Sequence, residues 1–130
     1  MERFERSQNA LTYRRAGETV RISAWGPNAV RIQAAGRPHL RDDLPGALLA
    51  AEPCGGAVVE ITQDEGAILT NGLLRARFDT LGRLTFERSD TGTSILEEPL
   101  VNRTAMDTYP ARYYHPTGPR TQRLRVEFSA

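Results

Sequence analysis

Apolar and polar residues alternate along most of this chain with the period of two that sends successive side chains to opposite faces of a β-strand. Val20, Ile22 and Ala24 fall on one side and Arg21, Ser23 and Trp25 on the other. After the turn signal Gly26-Pro27-Asn28, Val30 and Ile32 alternate with Arg31 and Gln33, so the two runs predict a hairpin. A second hairpin follows the same plan. Leu74, Ala76 and Phe78 share one face, Arg75, Arg77 and Asp79 the other, Gly82 sits in the turn, and Leu84 and Phe86 point inward on the return strand. Asp90-Thr91-Gly92 then precedes the apolar pair Ile95-Leu96, which extends the hairpin to a three-strand meander. Val59 and Ile61 form an earlier strand, separated from "AILTNG" by a turn at Asp64-Glu65-Gly66. Near the end, Leu124, Val126 and Phe128 stand against Arg123, Arg125 and Glu127.

Eight or nine short strands with turn signals between them predict an all-β fold, an antiparallel sandwich or barrel with little or no helix. The best helix candidate, Leu44 to Ala51, carries Gly46 and is long enough only for a short turn. Gly36 to Gly56 and Pro99 to Arg120 carry no clear period and are expected as long loops. The second of these gathers Tyr109, Tyr113, Tyr114 and His115.

A length of 130 residues fits one domain with one apolar core. The formal charge of +1 argues against nucleic acid or an anionic membrane as the main partner, because such binding needs many unneutralised basic groups. All 17 basic residues are Arg, which reads as genome composition rather than selection site by site. No apolar run is long enough to span a bilayer. The single cysteine, Cys54, has no partner for an internal disulfide, and "MERFERSQ" lacks the apolar core of a secretory signal, so a cytoplasmic location is expected. Without an export signal, the sequon Asn102-Arg103-Thr104 carries no weight.

Candidate chemistry is sparse. A nucleophilic triad would draw on His39 or His115, and neither sits in a recognisable elbow. His39 with Asp42 and Asp43 matches no metal-ligand spacing, so no metal and no cofactor are expected. The acidic neighbours Asp42-Asp43 and Glu97-Glu98 would point to opposite faces of an extended strand, and both pairs are read as solvated loop or strand-end charge. Tyr113, Tyr114 and Trp25 are weak candidates for carbohydrate stacking, since Tyr and Trp combine an apolar face with a polar tip. The alternatives are a buried plug or a domain contact for the tyrosines, and packing against a second sheet for Trp25.

Taken in order, "VRISAWGPNAVRIQ" and "TNGLLRARFDTLGRLTFERSDTGTSILEE" resemble the N-terminal β-sandwich domain of glycoside hydrolase family 31, the α-glucosidase and α-xylosidase family. The matching positions are Val20 to Ile22, Gly26-Pro27, Val30-Arg31, Thr70, Leu74 to Ala76, Gly82, Leu84 to Phe86, Asp90 to Gly92 and Ile95 to Glu97. The resemblance runs from about Leu11 to Phe128. It implies a galactose-mutarotase-like sandwich over residues 1–130, as one N-terminal domain of a larger enzyme. Such an enzyme hydrolyses α-glucosides or α-xylosides by a retaining mechanism, using two aspartates on a (β/α)8 barrel of about 250 residues that this chain cannot contain. No catalytic residue is therefore assigned to it. The implied partners are the barrel of the same polypeptide and the carbohydrate substrate of the parent, and apolar surface left by the missing barrel implies self-association. Three other readings compete: a free-standing carbohydrate-binding module, a structural interaction domain, and a mutarotase by analogy of fold.

Overall fold

The computed structural model describes residues 3–41, 56–102, 108–119 and 121–130. The short turn expected at Leu44 to Ala51, the pair Asp42-Asp43, Cys54 and the sequon residues Arg103 and Thr104 lie outside the described residues. Thirteen strands are described: β1 (Phe4–Ser7), β2 (Ala10–Arg15), β3 (Glu18–Ala24), β4 (Val30–Ala35), β5 (Val58–Thr62), β6 (Gly66–Asn71), β7 (Leu74–Phe78), β8 (Leu84–Arg88), β9 (Ser94–Glu97), β10 (Leu100–Asn102), β11 (Thr108–Pro110), β12 (Arg112–Gly118) and β13 (Thr121–Val126). Every pairing among them is antiparallel. Among the described residues there is no helix, and so none long and apolar enough to cross a membrane.

Strands β1 to β4 form one sheet in chain order and β5 to β9 a second, each a simple meander. The sheets face one another, with β1 over β5 and β2 over β6. The period-two pattern explains the core directly. Val20 and Ile22 of β3 lie opposite Tyr13 and Leu11 of β2, and all four are buried, as are Phe78, Leu84 and Ala76 from the facing sheet. Phe4, Tyr13 and Phe78 form an aromatic trio at its centre, with ring centroids 5.3 to 6.0 Å apart. The two expected hairpins, β3–β4 and β7–β8, are present, and the three-strand meander is part of the larger five-strand one. On the outer face of the second sheet, Glu87 accepts hydrogen bonds from Arg75 at 2.6 Å and Arg77 at 2.9 Å, so the polar half of the hairpin pattern pairs with itself.

Two parts of the chain depart from the sequence reading. The stretch from Pro99 to Arg120, expected as a loop, contributes β10, β11 and β12. Its prolines are compatible with strands because of where they fall. Pro110 ends β11, and Pro116 sits beside a bulge in β12, whose pairing is with β13 alone. The β12–β13 ribbon, closed at its base by the Glu127 N–H to Ala111 carbonyl bond (3.0 Å), is tied to the end of β9 and the stretch just after it by backbone bonds from Ala111 to Pro99 (3.1 Å) and Ser129 to Glu97 (2.8 Å). It remains a separate two-stranded sheet, joined to β9 by the isolated Glu97–Ser129 bridge. The other departure is β1 and β2, whose two-residue turn places Asn9 at φ 57, a conformation Asn adopts more readily than most residues.

Gly82 joins local turn chemistry to the core. Asp79 Oδ1 accepts hydrogen bonds from the N–H groups of Leu81 and Arg83, both at 2.9 Å, and this folds the β7–β8 turn back on itself. Gly82 has φ 79, and a Cβ there would stand 2.4 Å from Cζ of Tyr13. Gly82→Ala is expected to destabilise the domain by about 2 to 4 kcal/mol, combining left-handed backbone strain with overpacking of the aromatic trio. Chemical denaturation would measure it, and a loss under about 0.5 kcal/mol, the range of ordinary surface changes, would contradict this account of the turn.

Candidate functional site

The structure separates the aromatic residues singled out from the sequence. Trp25 lies half-buried at the β3–β4 turn with the Arg31 guanidinium 4.9 Å from its ring centroid. Tyr113 and Tyr114, adjacent on β12, point to opposite faces. Arg125 lies 5.6 Å from the centre of the Tyr113 ring. The Tyr114 hydroxyl donates to Glu18 Oε2 at 2.5 Å, and of the three aromatics only Tyr114 lines the clefts described here. His39 and His115 are both exposed, the first beyond the end of β4 and the second on β12 opposite Arg123. Among the described residues no group of three or more His, Asp or Glu side chains is placed to hold a metal ion.

The reading of Glu97-Glu98 as solvated charge is corrected at its second member. Glu97 is half-exposed and pairs with Arg83 at 3.2 Å, but Glu98 is fully buried. The alternation that parts adjacent side chains on an extended backbone turns Glu98 into the interior. There a cationic partner from a distant segment receives it, which no local pattern announces.

That partner is Arg112, at the start of β12 and only 2% exposed. Its Nε and Nη2 donate to the two oxygens of Glu18 at 2.9 and 3.1 Å, in the forked geometry a guanidinium offers a carboxylate, while Nη1 donates to Glu98 Oε1. Glu98 Oε1 also accepts the Leu84 N–H at 2.8 Å, and the Glu98 carbonyl accepts from Arg83 Nε at 2.6 Å. Among the described residues Glu98 Oε2 has no hydrogen-bond partner. The cluster thus joins the start of β3, β8, the β9–β10 junction and β12.

Burial governs its electrostatics. It pushes the Glu98 carboxyl up to about 7, against the pull of the Arg112 charge and the Leu84 N–H, with the Glu18 charge adding to the rise. Burial also raises the Tyr114 hydroxyl, and the Glu18 carboxylate beside it raises it further. For Arg112 burial works against the cation, but the two carboxylates outweigh it and the guanidinium is held more firmly charged than usual.

Beside the cluster opens a cleft of about 460 Å³, lined by Arg15, Glu18, Tyr109, Arg112 and Tyr114 among others. Glu18 shares one guanidinium with Glu98, and Glu98 does not line the cleft. A pair of carboxyls flanking a glycosidic bond is therefore not what this arrangement provides. What it does provide is a tie of two carboxyl groups through one guanidinium, between segments far apart in sequence.

The raised Glu98 value has a sign that can be checked. Its folded-state pKa of about 7 exceeds the ordinary 4.5, so its support for folding is complete below pH 4.5 and is lost as pH rises through about 7. Relative to Glu98→Gln, the unfolding free energy of the unaltered protein should fall over that window by up to about 3 kcal/mol. Urea denaturation of the two proteins at a series of pH values would show this, and parallel curves would mean that Glu98 has the same pKa folded and unfolded.

Comparison with known proteins agrees with the fold and goes further. No family profile and no curated protein matches the chain. Among solved structures, the chain is similar to a GH31 α-xylosidase from a soil metagenome, determined in complex with xylose, with a TM-score of 0.80 and 27% sequence identity. The match covers 96% of this chain and 20% of that one, so the chain spans a fifth of the length of the enzyme it resembles. The likeness to family 31 glycoside hydrolases, first carried by hairpin motifs, is thus a likeness of the whole described sandwich.

Proposed function

We propose that this chain is the non-catalytic N-terminal β-sandwich domain of a family 31 glycoside hydrolase. Its role is to support a (β/α)8 barrel that hydrolyses α-glucosides or α-xylosides with retention. The observation that carries this reading is the alignment of nearly the whole chain with one fifth of a GH31 α-xylosidase. The interior supports it, because the buried Glu98 is committed to Arg112 and to backbone, and Glu18, at the wall of the cleft, is engaged by Arg112 and Tyr114. Chemistry in the parent then belongs to the barrel, and the sandwich contributes position. In this reading the chain has no activity alone, and the parent is a cytoplasmic enzyme that needs no cofactor.

The test is to express the complete reading frame beside the 130-residue chain and assay both on aryl α-xyloside and aryl α-glucoside. Activity confined to the longer protein is expected, with the preferred glycoside giving the substrate class. Turnover by the 130-residue chain alone, abolished by Glu18→Gln, would overturn the proposal and make the cluster a catalytic one.

A further inference from the structure

The sandwich is closed along one side and open along the other. On the closed side, Phe4 of β1 and Val59 of β5 are buried, and the Gln63 side-chain amide bridges the sheets by accepting the Phe4 N–H at 3.3 Å and donating to the Phe4 carbonyl at 3.1 Å. On the open side, residues that register assigns to the inner layer stand substantially in solvent. Ile32 lies opposite the fully buried Ile22 yet is 40% exposed. Leu124 and Val126 lie opposite Tyr114 and Arg112, whose side chains reach inward to Glu18, yet both are about 40% exposed. Leu96 lies opposite Phe86, and the Phe128 ring meets that of Phe86 at 5.8 Å, yet these too are more than a third exposed. Between β4 and β13, Ile32 and Leu124 border a slot of about 450 Å³, lined by Ala34 and Tyr114 as well, with Arg37, His39 and Gln122 among its polar lining.

We infer that this slot, between edge strand β4 and the β12–β13 ribbon, is the seat of apolar side chains from the catalytic barrel of the same polypeptide. The inference rests on the functional reading above and names the surface through which it would operate. An inner-layer row left wet along one side is unusual for a self-sufficient domain, where exposed apolar residues are scattered rather than aligned. The similar α-xylosidase places four-fifths of its chain outside the matched fifth, which supplies a covalently linked partner of ample size. An apolar centre with a polar rim is also the composition of a domain interface.

Hydrogen exchange of the complete polypeptide against the 130-residue chain tests this without any substitution. Amides of residues 30–34 and 122–128 should exchange about tenfold or more slowly in the longer protein, while those of 58–62, on the closed side, keep the same rate in both. Equal rates in a longer protein that cleaves α-glycosides would overturn the seat and leave the functional reading standing. Protection in a longer protein that lacks that activity would overturn the functional reading and with it the barrel as occupant. Protection that grows with concentration in the 130-residue chain would assign the slot to a second copy and overturn the inference.

Discussion

The fold turns on Arg112. One guanidinium, almost wholly out of solvent, takes a carboxylate from the start of β3 and another from the β9–β10 junction. Without it the buried Glu98 would face the Glu18 carboxylate with no cation between them, and could not stay ionised at acceptable cost. With it, Glu18 of β3 is held to two segments that are themselves joined by the Ala111–Pro99 backbone bond. The ribbon carrying Arg112 is thereby fixed beneath the first sheet as well as beside the second. A buried ion pair of this kind adds little net stability compared with well-packed apolar side chains. Its contribution here is to specify where the ribbon docks.

Much of this architecture was legible in the residues. The β3–β4 and β7–β8 hairpins follow from strict alternation bounded by glycine-containing turns, and Val20, Ile22, Phe78 and Leu84 are buried as their positions require. Less legible were β10 to β12, because four prolines between Pro99 and Pro119 argue against strands unless the unpaired edges are known in advance. The N-terminal hairpin left a fainter trace. Phe4, Leu11 and Tyr13 supply its core residues, but the arginines around them blur the period.

The Arg112 cluster was hidden for a different reason. Glu18 and Arg112 are 94 residues apart, and their meeting depends on tertiary geometry that no local window contains. Glu97-Glu98 carried half of the signal, since adjacent residues on an extended chain must diverge. Which of the two would turn inward was decided by the ladder, where Glu98 N–H bonds Leu84 O and Glu97 pairs with Ser129. The aromatic residues show the converse. Their clustering in sequence did not become clustering in space, because Tyr113 and Tyr114 part at the backbone and Trp25 belongs to another turn.

Gln63 and Gln122 share a structural device. Each presents a side-chain carboxamide to both the N–H and the C=O of one backbone residue, Phe4 for Gln63 and Gly36 for Gln122, so each imitates a neighbouring peptide unit. A carboxamide neither titrates across the physiological range nor responds to thiol redox chemistry. The protein therefore carries two kinds of fastening with different sensitivities: an ionic one whose charge state follows acidity around Glu98, and an amide one indifferent to it. Because Gln122 grips the far end of the ribbon that Arg112 holds at its base, proton uptake at Glu98 can change the charge of the interior without releasing the ribbon from the sheet.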